Sequence, residues 1–324
     1  MEKSDLPEVN GATVEYSVVI PVYRSETSLR ELYLRLVKVM EGISKRFEII
    51  FVEDCGEDGS WSIVSELAGS DKRVRCIQLS RNFGQHNALL CGIRAAKGEA
   101  IVTIDDDLQH PPEEIPKLLN KLSEGFDVVY GAPQQEQHDF LRNIASQITK
   151  ITLQGAMGVK IARNVSAFRA FRSHLRVAFN DYQGPFVSID VLLTWGTKRF
   201  AAIPVEHNRR QAGASNYTLA ALVTHAFNMM TGFSVLPLQI ASLIGIVFTF
   251  FGLIVFTYVL VRYFMQGEKV PGFPFLASII SIFSGAQLFA LGIIGEYLAR
   301  MHFRVMQKPS YVVRSCLGHE ELRK

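Results

Sequence analysis

The chain has 324 residues, enough for about two structural units at roughly 100 to 200 residues each. Its 34 Lys and Arg against 31 Asp and Glu leave a formal net charge of +3, too small to argue for a nucleic-acid partner. Cys55, Cys76, Cys91 and Cys316 are scattered without a CxxC pair and the first thirty residues hold no apolar run, which argues against a disulfide framework, a cysteine-bound metal and a secretory signal.

Up to about Arg210, short β-branched runs alternate with amphipathic stretches. Tyr16 to Val22 predicts a first strand. Ser25 to Met40 predicts the helix after it, because Leu29, Leu32, Leu36, Val37 and Met40 share one helical face. Phe47 to Val52 predicts a second strand that ends in Glu53 and Asp54, and Val74 to Leu79 a third, followed by a helix from Gly84 to Ala96. The fourth strand, Ala100 to Ile104, stops at Asp105, Asp106 and Asp107. A proline-started helix from Pro112 to Ser123 and a fifth strand from Asp127 to Tyr130 follow. This alternation implies an α/β fold of Rossmann-like type, a mostly parallel sheet with helices on both faces. Such sheets bind ligands beyond the carboxyl ends of their strands. Pro21, Tyr23, Glu53, Asp54, Arg81, Asn82 and the Asp triplet stand at those positions. No GxGxxG follows the first strand, which argues against a dinucleotide oxidoreductase.

The Asp triplet is the sharpest chemical feature. Three successive carboxylates repel one another, and a hard divalent cation relieves that crowding. Asp105 and Asp107 have DxD spacing, so magnesium or manganese held there would also touch diphosphate oxygens and stabilise a leaving group. A solvated turn capping the next helix would explain the same residues less well, given the apolar strand before it and the PPEE helix start behind it. Glu53 and Asp54 could accept hydrogen bonds from a nucleobase or ribose, with Gly56 and Gly59 letting backbone come close; an exposed acidic turn is the plainer reading. Arg81 and the start of the third helix could hold a phosphate, or Asn82 could simply cap that helix. Arg209 to Tyr217 (RRQAGASNY) is a basic loop whose guanidinium groups suit a diphosphate or a lipid phosphate. His86, His110, His207 and His225 lack metal-ligand spacing and are read as structural or surface residues.

From Gln211 to Val261 there is no Asp, Glu, Lys or Arg, and Pro237 to Val261 is apolar and long enough to cross a bilayer. Val270 to Gly295 is a second such run. Lipid offers backbone groups no partner, so both should be helices, and the short link from Arg262 to Pro271 makes them a hairpin. Leu219 to Leu236, broken by His225, Asn228 and Gly232, reads as an interfacial helix. Basic residues on both flanks, among them Lys198, Arg199, Arg209 and Arg210 before the hairpin and Arg300, Arg304 and Lys308 after it, predict that both termini lie in the cytoplasm.

Seven blocks now stand in one order between Ser17 and about Arg314: SVVIPVY, FVEDCGEDGS, LSRNFGQHNALLCGIRAAKG, DDDLQHPPEEIPKLL, RRQAGASNY, VLPLQIASLIG and GAQLFALGIIGEYLAR. The series resembles the polyprenyl-phosphate glycosyltransferases of the family-two GT-A class. Within that class it is most similar to the bactoprenol glucosyltransferases and undecaprenyl-phosphate aminoarabinose transferases, and less so to the dolichol-phosphate mannose synthases. The resemblance implies a GT-A catalytic domain over 1–216, an interfacial helix over 217–236, a transmembrane hairpin over 237–299 and a basic cytoplasmic tail over 300–324. It also implies an integral inner-membrane enzyme that moves a sugar, with inversion, from a nucleotide diphosphate (UDP first) to undecaprenyl phosphate. A homotetramer is implied as well.

Residue by residue, the resemblance implies magnesium or manganese on Asp105 and Asp107, with Arg169 and Arg210 as phosphate partners in the catalytic set. Pro21, Tyr23, Glu53, Asp54, Arg81, Asp106, Gln109, Ser215 and Tyr217 would bind the nucleotide sugar. Three positions depart from relatives. Ala167 stands where many carry Asp before Phe-Arg, Asn216 where Lys is common, and Ala132-Pro133 where Arg follows Tyr-Gly. A processive polysaccharide synthase is disfavoured by the absence of QxxRW, and Ala167 keeps a non-catalytic nucleotide-sugar-binding scaffold as the other alternative.

Overall fold

The computed structural model describes residues 14–133, 164–184, 187–208, 236–266 and 272–318. It divides into two compact units, Met1–Leu219 joined by Gln307–Lys324, and Ala220–Met306. In chain order the elements are β1 (Tyr16–Val22), α1 (Leu29–Ile43), β2 (Phe47–Glu53), α2 (Ser60–Ser70), β3 (Val74–Leu79), α3 (Gln85–Ala95) and β4 (Ala100–Thr103). There follow a 3₁₀ turn (Pro112–Glu114), α4 (Ile115–Ser123), β5 (Val128–Pro133), β6 (Arg169–Arg172), a second 3₁₀ turn (Ser173–Ala178), α5 (Ile189–Gly196) and β7 (Phe200–Val205). Two long helices, α6 (Leu236–Gln266) and α7 (Phe273–Val305), precede a last strand, β8 (Val313–Leu317).

Among the described residues the strands form one eight-stranded sheet in the order β7-β5-β6-β4-β1-β2-β3-β8. Only β6 and β8 run against the rest. β2 is buried at every position and β1 at all but its first, as strands covered on both faces must be. Val18, Ile20 and Val22 point to the face covered by α1, α2 and α4. Val19, of opposite parity, meets α3 at Gly92. α1 buries Leu29, Leu32, Leu36 and Met40, the stripe its sequence predicts.

Three findings differ from the sequence reading. The first helix begins at Leu29 instead of Ser25, because Ser25 and Ser28 are engaged by the turn that precedes it. Sheet partners β6 and β8 are antiparallel, and neither four-residue RAFR nor five-residue VRSCL has a periodicity that betrays it. Part of the expected basic tail is therefore a sheet strand: Val313 pairs with Leu79 and Leu317 with Cys76. The interfacial helix expected over 217–236 lies outside the described residues except for Leu236.

In the second unit, Pro237–Arg262 and Ile282–Phe303 have mean hydropathies of 2.5 and 1.4 and are long and apolar enough to cross a membrane. Their apolar windows are 0% buried, unlike those of soluble core helices. The two helices pack where the Phe283 ring lies against Phe248 and Phe251, opposite Gly252.

Candidate active site

Strand order reverses between β1 and β4, since the chain runs from β1 outward through β2 and β3 and returns to add β4 on the other side. Loops leaving β1 and β4 diverge there, opening the crevice that α/β sheets use for ligands. The loops after β1, β2 and β4 hold Arg24, Cys55, Glu57 and Leu108 at positive φ of 56, 56, 58 and 60°. Non-glycine residues occupy that region at a cost of about 1 kcal/mol or more each, a strain that clusters at functional turns.

The Asp triplet fans out from the end of β4. Asp105 accepts a 2.6 Å hydrogen bond on Oδ1 from Gln85 Nε2 at the start of α3. Burial, then the charges of Asp107 and Asp106, push its carboxyl up to about 7, with Arg169 opposing. Asp107 accepts the Gln109 amide on Oδ1 at 3.1 Å. Asp106 turns the other way: its Oδ2 accepts the Tyr23 amide (3.0 Å) and the Ser25 hydroxyl (2.5 Å), and its carbonyl accepts the Ser28 hydroxyl (2.6 Å). Burial raises Asp106 to about 6 against those hydrogen bonds. Asp106, expected among the nucleotide-sugar contacts, is bonded through Oδ2 to the loop after β1.

Asp105 and Asp107 fit a magnesium or manganese ion. Among the described residues no three or more His, Cys, Asp or Glu gather as a metal cage. Magnesium typically uses one or two carboxylates and completes its shell with water and substrate phosphates. A buried carboxyl raised by its acidic neighbours is the group such a cation would return to its charged form.

Other expected residues are placed differently. Arg169 is 1% exposed; its Nη1 is paired with Asp190 Oδ1, and its Nε donates to Thr103 Oγ1 at 3.1 Å. Asp190 also accepts the Tyr130 hydroxyl at 3.1 Å. Arg169 therefore lies behind the acidic corner, where its charge favours the ionised form of Asp105, and is not exposed to a phosphate. Asp54 accepts the Phe83 and Gly84 amides on its two oxygens, each at 2.7 Å, so it fixes the entry to α3 in place of the Asn82 cap considered from sequence. Burial still raises its carboxyl against those bonds. Glu53 is the acceptor left over: Oε1 takes the Gly56 amide at 2.5 Å, and Oε2 is buried without a hydrogen-bond partner among the described residues. Gly56 and Gly59 serve loop packing, since a Cβ there would come within 2.8 Å of Arg24 N and 2.6 Å of Glu26 Oε2.

Pro21 ends up opposite Val52 in the sheet, and Tyr23 is 44% exposed at the lip of the crevice. The Arg81 guanidinium lies 4.5 Å from the Phe83 ring centre. Gln109 accepts the Asn208 amide on its carbonyl at 2.8 Å, and the His207 ring packs edge-on against His110 at 4.9 Å. The stretch leading into the basic loop therefore starts against the acidic corner. Arg210, Ser215 and Tyr217 themselves lie outside the described residues. Burial, then His207, push His110 down to about 4, so it is neutral at physiological pH. Gln85, Ser25, Ser28, Asp190 and Tyr130 were missed from sequence. Only Gln85, within RNFGQHN, sat in a stretch that could have flagged it.

Residues 17–177 match the model of Glycosyl transferase family 2. The undecaprenyl-phosphate 4-deoxy-4-formamido-L-arabinose transferase of Shewanella sediminis is 34% identical, over 94% of this chain and 93% of that protein. Its counterpart in Proteus mirabilis is 32% identical over 93% and 94%. Glucosyl-3-phosphoglycerate synthase from Mycobacterium tuberculosis, solved with phosphoglyceric acid, superposes with a TM-score of 0.52 at 18% identity, over 67% of this chain and 78% of that one. The same synthase has been solved with Mn2+ and UDP-glucose. At that identity the likeness speaks for the fold alone.

Proposed function

The chain belongs to glycosyl transferase family 2, and from that membership we propose that it transfers a sugar from a nucleotide diphosphate to undecaprenyl phosphate at a membrane surface. The observation that carries this reading is the acidic corner at the β1/β4 crevice, where Asp105 and Asp107 project from one strand end. The acceptor comes from the names of relatives similar over nearly the whole chain.

In this reading an oxygen of the acceptor phosphate forms a bond to the anomeric carbon as the bond from that carbon to the nucleoside diphosphate breaks, with inversion. A magnesium or manganese ion on Asp105 and Asp107 would supply Lewis-acid neutralisation of the departing diphosphate. Gln85 orients Asp105, and Arg169 partly opposes from behind the rise that burial and the acidic neighbours impose on that carboxyl. Glu53 Oε2 offers an acceptor for a nucleobase N–H, with Tyr23 and Arg81 at the rim. Gln109 sits beside the sugar diphosphate, and Arg210, Ser215 and Tyr217 hold phosphates. Ala167 supplies no base. None is required, because a phosphate monoester with a second pKa near 6 is largely a dianion at neutral pH.

The chain path supports a hairpin whose two flanks lie on one side of the membrane. β7 precedes the apolar helices and β8 follows them, yet both belong to one sheet, as two crossings between them would require. The carboxyl end of β7 and the first residue of β8, which pairs with the last of β3, both lie at the sheet edge that carries the acidic corner. A hairpin with both flanks in the cytoplasm satisfies this and the basic flanks. Homo-oligomeric assembly goes with this reading and is decided by light scattering in detergent.

The test is purified full-length protein with undecaprenyl phosphate, Mg2+ or Mn2+, and a panel of nucleotide sugars. Uridine donors come first, including one bearing 4-deoxy-4-formamido-L-arabinose. A glycolipid from at least one donor is expected; none from any donor overturns the reading. Asp107→Ala should lose at least a hundredfold in turnover while remaining folded and membrane-bound, on the scale of removing a group that stabilises leaving-group charge.

A further inference from the structure

The middle carboxylate of the triplet is the one that the proposed chemistry leaves unused. Asp106 sits between two residues read as metal ligands, yet its side chain binds the chain's own backbone 83 residues away. Three bonds link this one residue to the loop after β1: Tyr23 N–H to Oδ2, the Ser25 hydroxyl to the same oxygen, and the Ser28 hydroxyl to the Asp106 carbonyl. Other bonds tie the loop to the turn after β2, with Arg24 Nε donating to the Gly56 carbonyl at 3.1 Å and the Gly59 amide to Glu26 Oε2 at 2.9 Å, whereas Asp106 ties it to the acidic corner. Ser25 N–H donates to Ser60 Oγ at 3.0 Å, the Ser25 hydroxyl is also within 3.1 Å of the Tyr23 carbonyl, and Arg24 is held at a φ of 56°. Tyr23 itself is 44% exposed at the crevice.

An acceptor oxygen that takes two hydrogen bonds fixes both donors relative to itself. Because Asp105 and Asp107 flank it in the chain, fixing the loop to Asp106 also fixes it to the carboxylates that face the crevice. We infer that Asp106 is a positioning residue: by binding Tyr23 N–H and the Ser25 hydroxyl it locks the loop after β1 to the acidic corner, so that the donor's nucleoside end and its diphosphate end are held in register. The inference rests on the proposed function for its kinetic consequence and on the geometry alone for its structural one.

Hydrogen exchange on the full-length protein in detergent reads the structural part without any turnover. The amide of Tyr23 should exchange at least tenfold faster in Asp106→Ala than in wild type. Asp106→Asn keeps an oxygen able to accept both bonds and should recover most of the protection. Ser25→Ala, which removes one donor, should give a smaller change in the same direction and serves if Asp106→Ala fails to fold. Equal protection of Tyr23 in wild type, Asp106→Ala and Ser25→Ala overturns the proposal. Kinetics with whichever uridine donor the wild type accepts read the second part. Asp106→Ala should raise donor KM about tenfold with kcat within about threefold and acceptor KM unmoved, and Asp106→Asn should regain most of the loss. An Asp106→Asn variant as impaired as Asp106→Ala would mean that charge, not bonding, is what matters, and would also overturn it. Wild-type inactivity toward every donor would refute the functional reading, and hydrogen exchange alone would then decide whether the clamp exists.

Discussion

Asp105 is a carboxyl that the fold stabilises best when it is neutral. Its value is raised from 3.8 to about 7 by burial and by its two acidic neighbours, so the folded chain holds that proton more tightly than the unfolded chain does. The stability this contributes is present at acid pH and is lost as pH rises from about 4 through about 7. Asp105→Asn carries no such proton. Without metal, the variant should therefore melt above wild type at about pH 8, and the gap should close toward about pH 4. Mn2+ at the higher pH should raise the melting temperature of the wild type and not of the variant. Differential scanning fluorimetry across pH measures this, and a gap that does not vary with pH would contradict it. The DxD spacing was legible because charge crowding is a local property of consecutive residues. The division of labour among the three acids was not, because it depends on Gln85, Tyr23 and Ser25, which reach the corner only through the fold.

At the scale of elements, α3 carries both structure and site. Its first turn supplies Gln85, and its middle rests on β1 and β2 at Gly92, where a Cβ would lie 2.4 Å from Val19 Cγ1 and 3.0 Å from Val52 Cγ2. Gly92→Ala should therefore cost about 1 to 3 kcal/mol through overpacking, despite the higher helix propensity of alanine. Urea denaturation of the detergent-solubilised protein checks it, and unchanged stability would mean that the helix shifts without strain. Because Gln85 moves with the helix, a loss of metal affinity in the same variant is expected. The first four strands and helices α1, α3 and α4 were readable from local signals, β-branched runs, an apolar stripe and a proline start, whereas α2 was not read from the sequence. Antiparallel β6 and β8 were not, because a short strand is held in place by the neighbour it pairs with.

For the whole molecule, the return of the chain after α7 is decisive. Ser310 is buried and exchanges hydrogen bonds with Gly184, its hydroxyl donating to the Gly184 carbonyl at 2.8 Å. Tyr311 lies under the Arg94 guanidinium, and β8 covers the edge of β3. Truncation after Met306 should thus expose that edge and destabilise the sheet unit, read as faster proteolysis between residues 70 and 95. Wild-type resistance would show that β8 contributes little. The proposed hairpin makes a second outcome checkable. A cysteine introduced between residues 267 and 271, in a chain otherwise stripped of cysteine, should be labelled by an impermeant reagent from outside intact cells, whereas one placed at Ser315 should not.

The α/β class, the two membrane-length helices and the acidic corner could all be read from the residues in order. Each is built from patterns of hydropathy or charge that are local in the chain. It took the folded chain to put Arg169 behind the corner, to bond Asp54 and Asp106 to backbone, to leave Glu53 an oxygen unpaired among the described residues, and to bring Val313–Leu317 into the sheet. A side chain's freedom to meet a ligand depends on what distant segments have already bonded to it, and pairing across tens to hundreds of residues leaves no mark on local period.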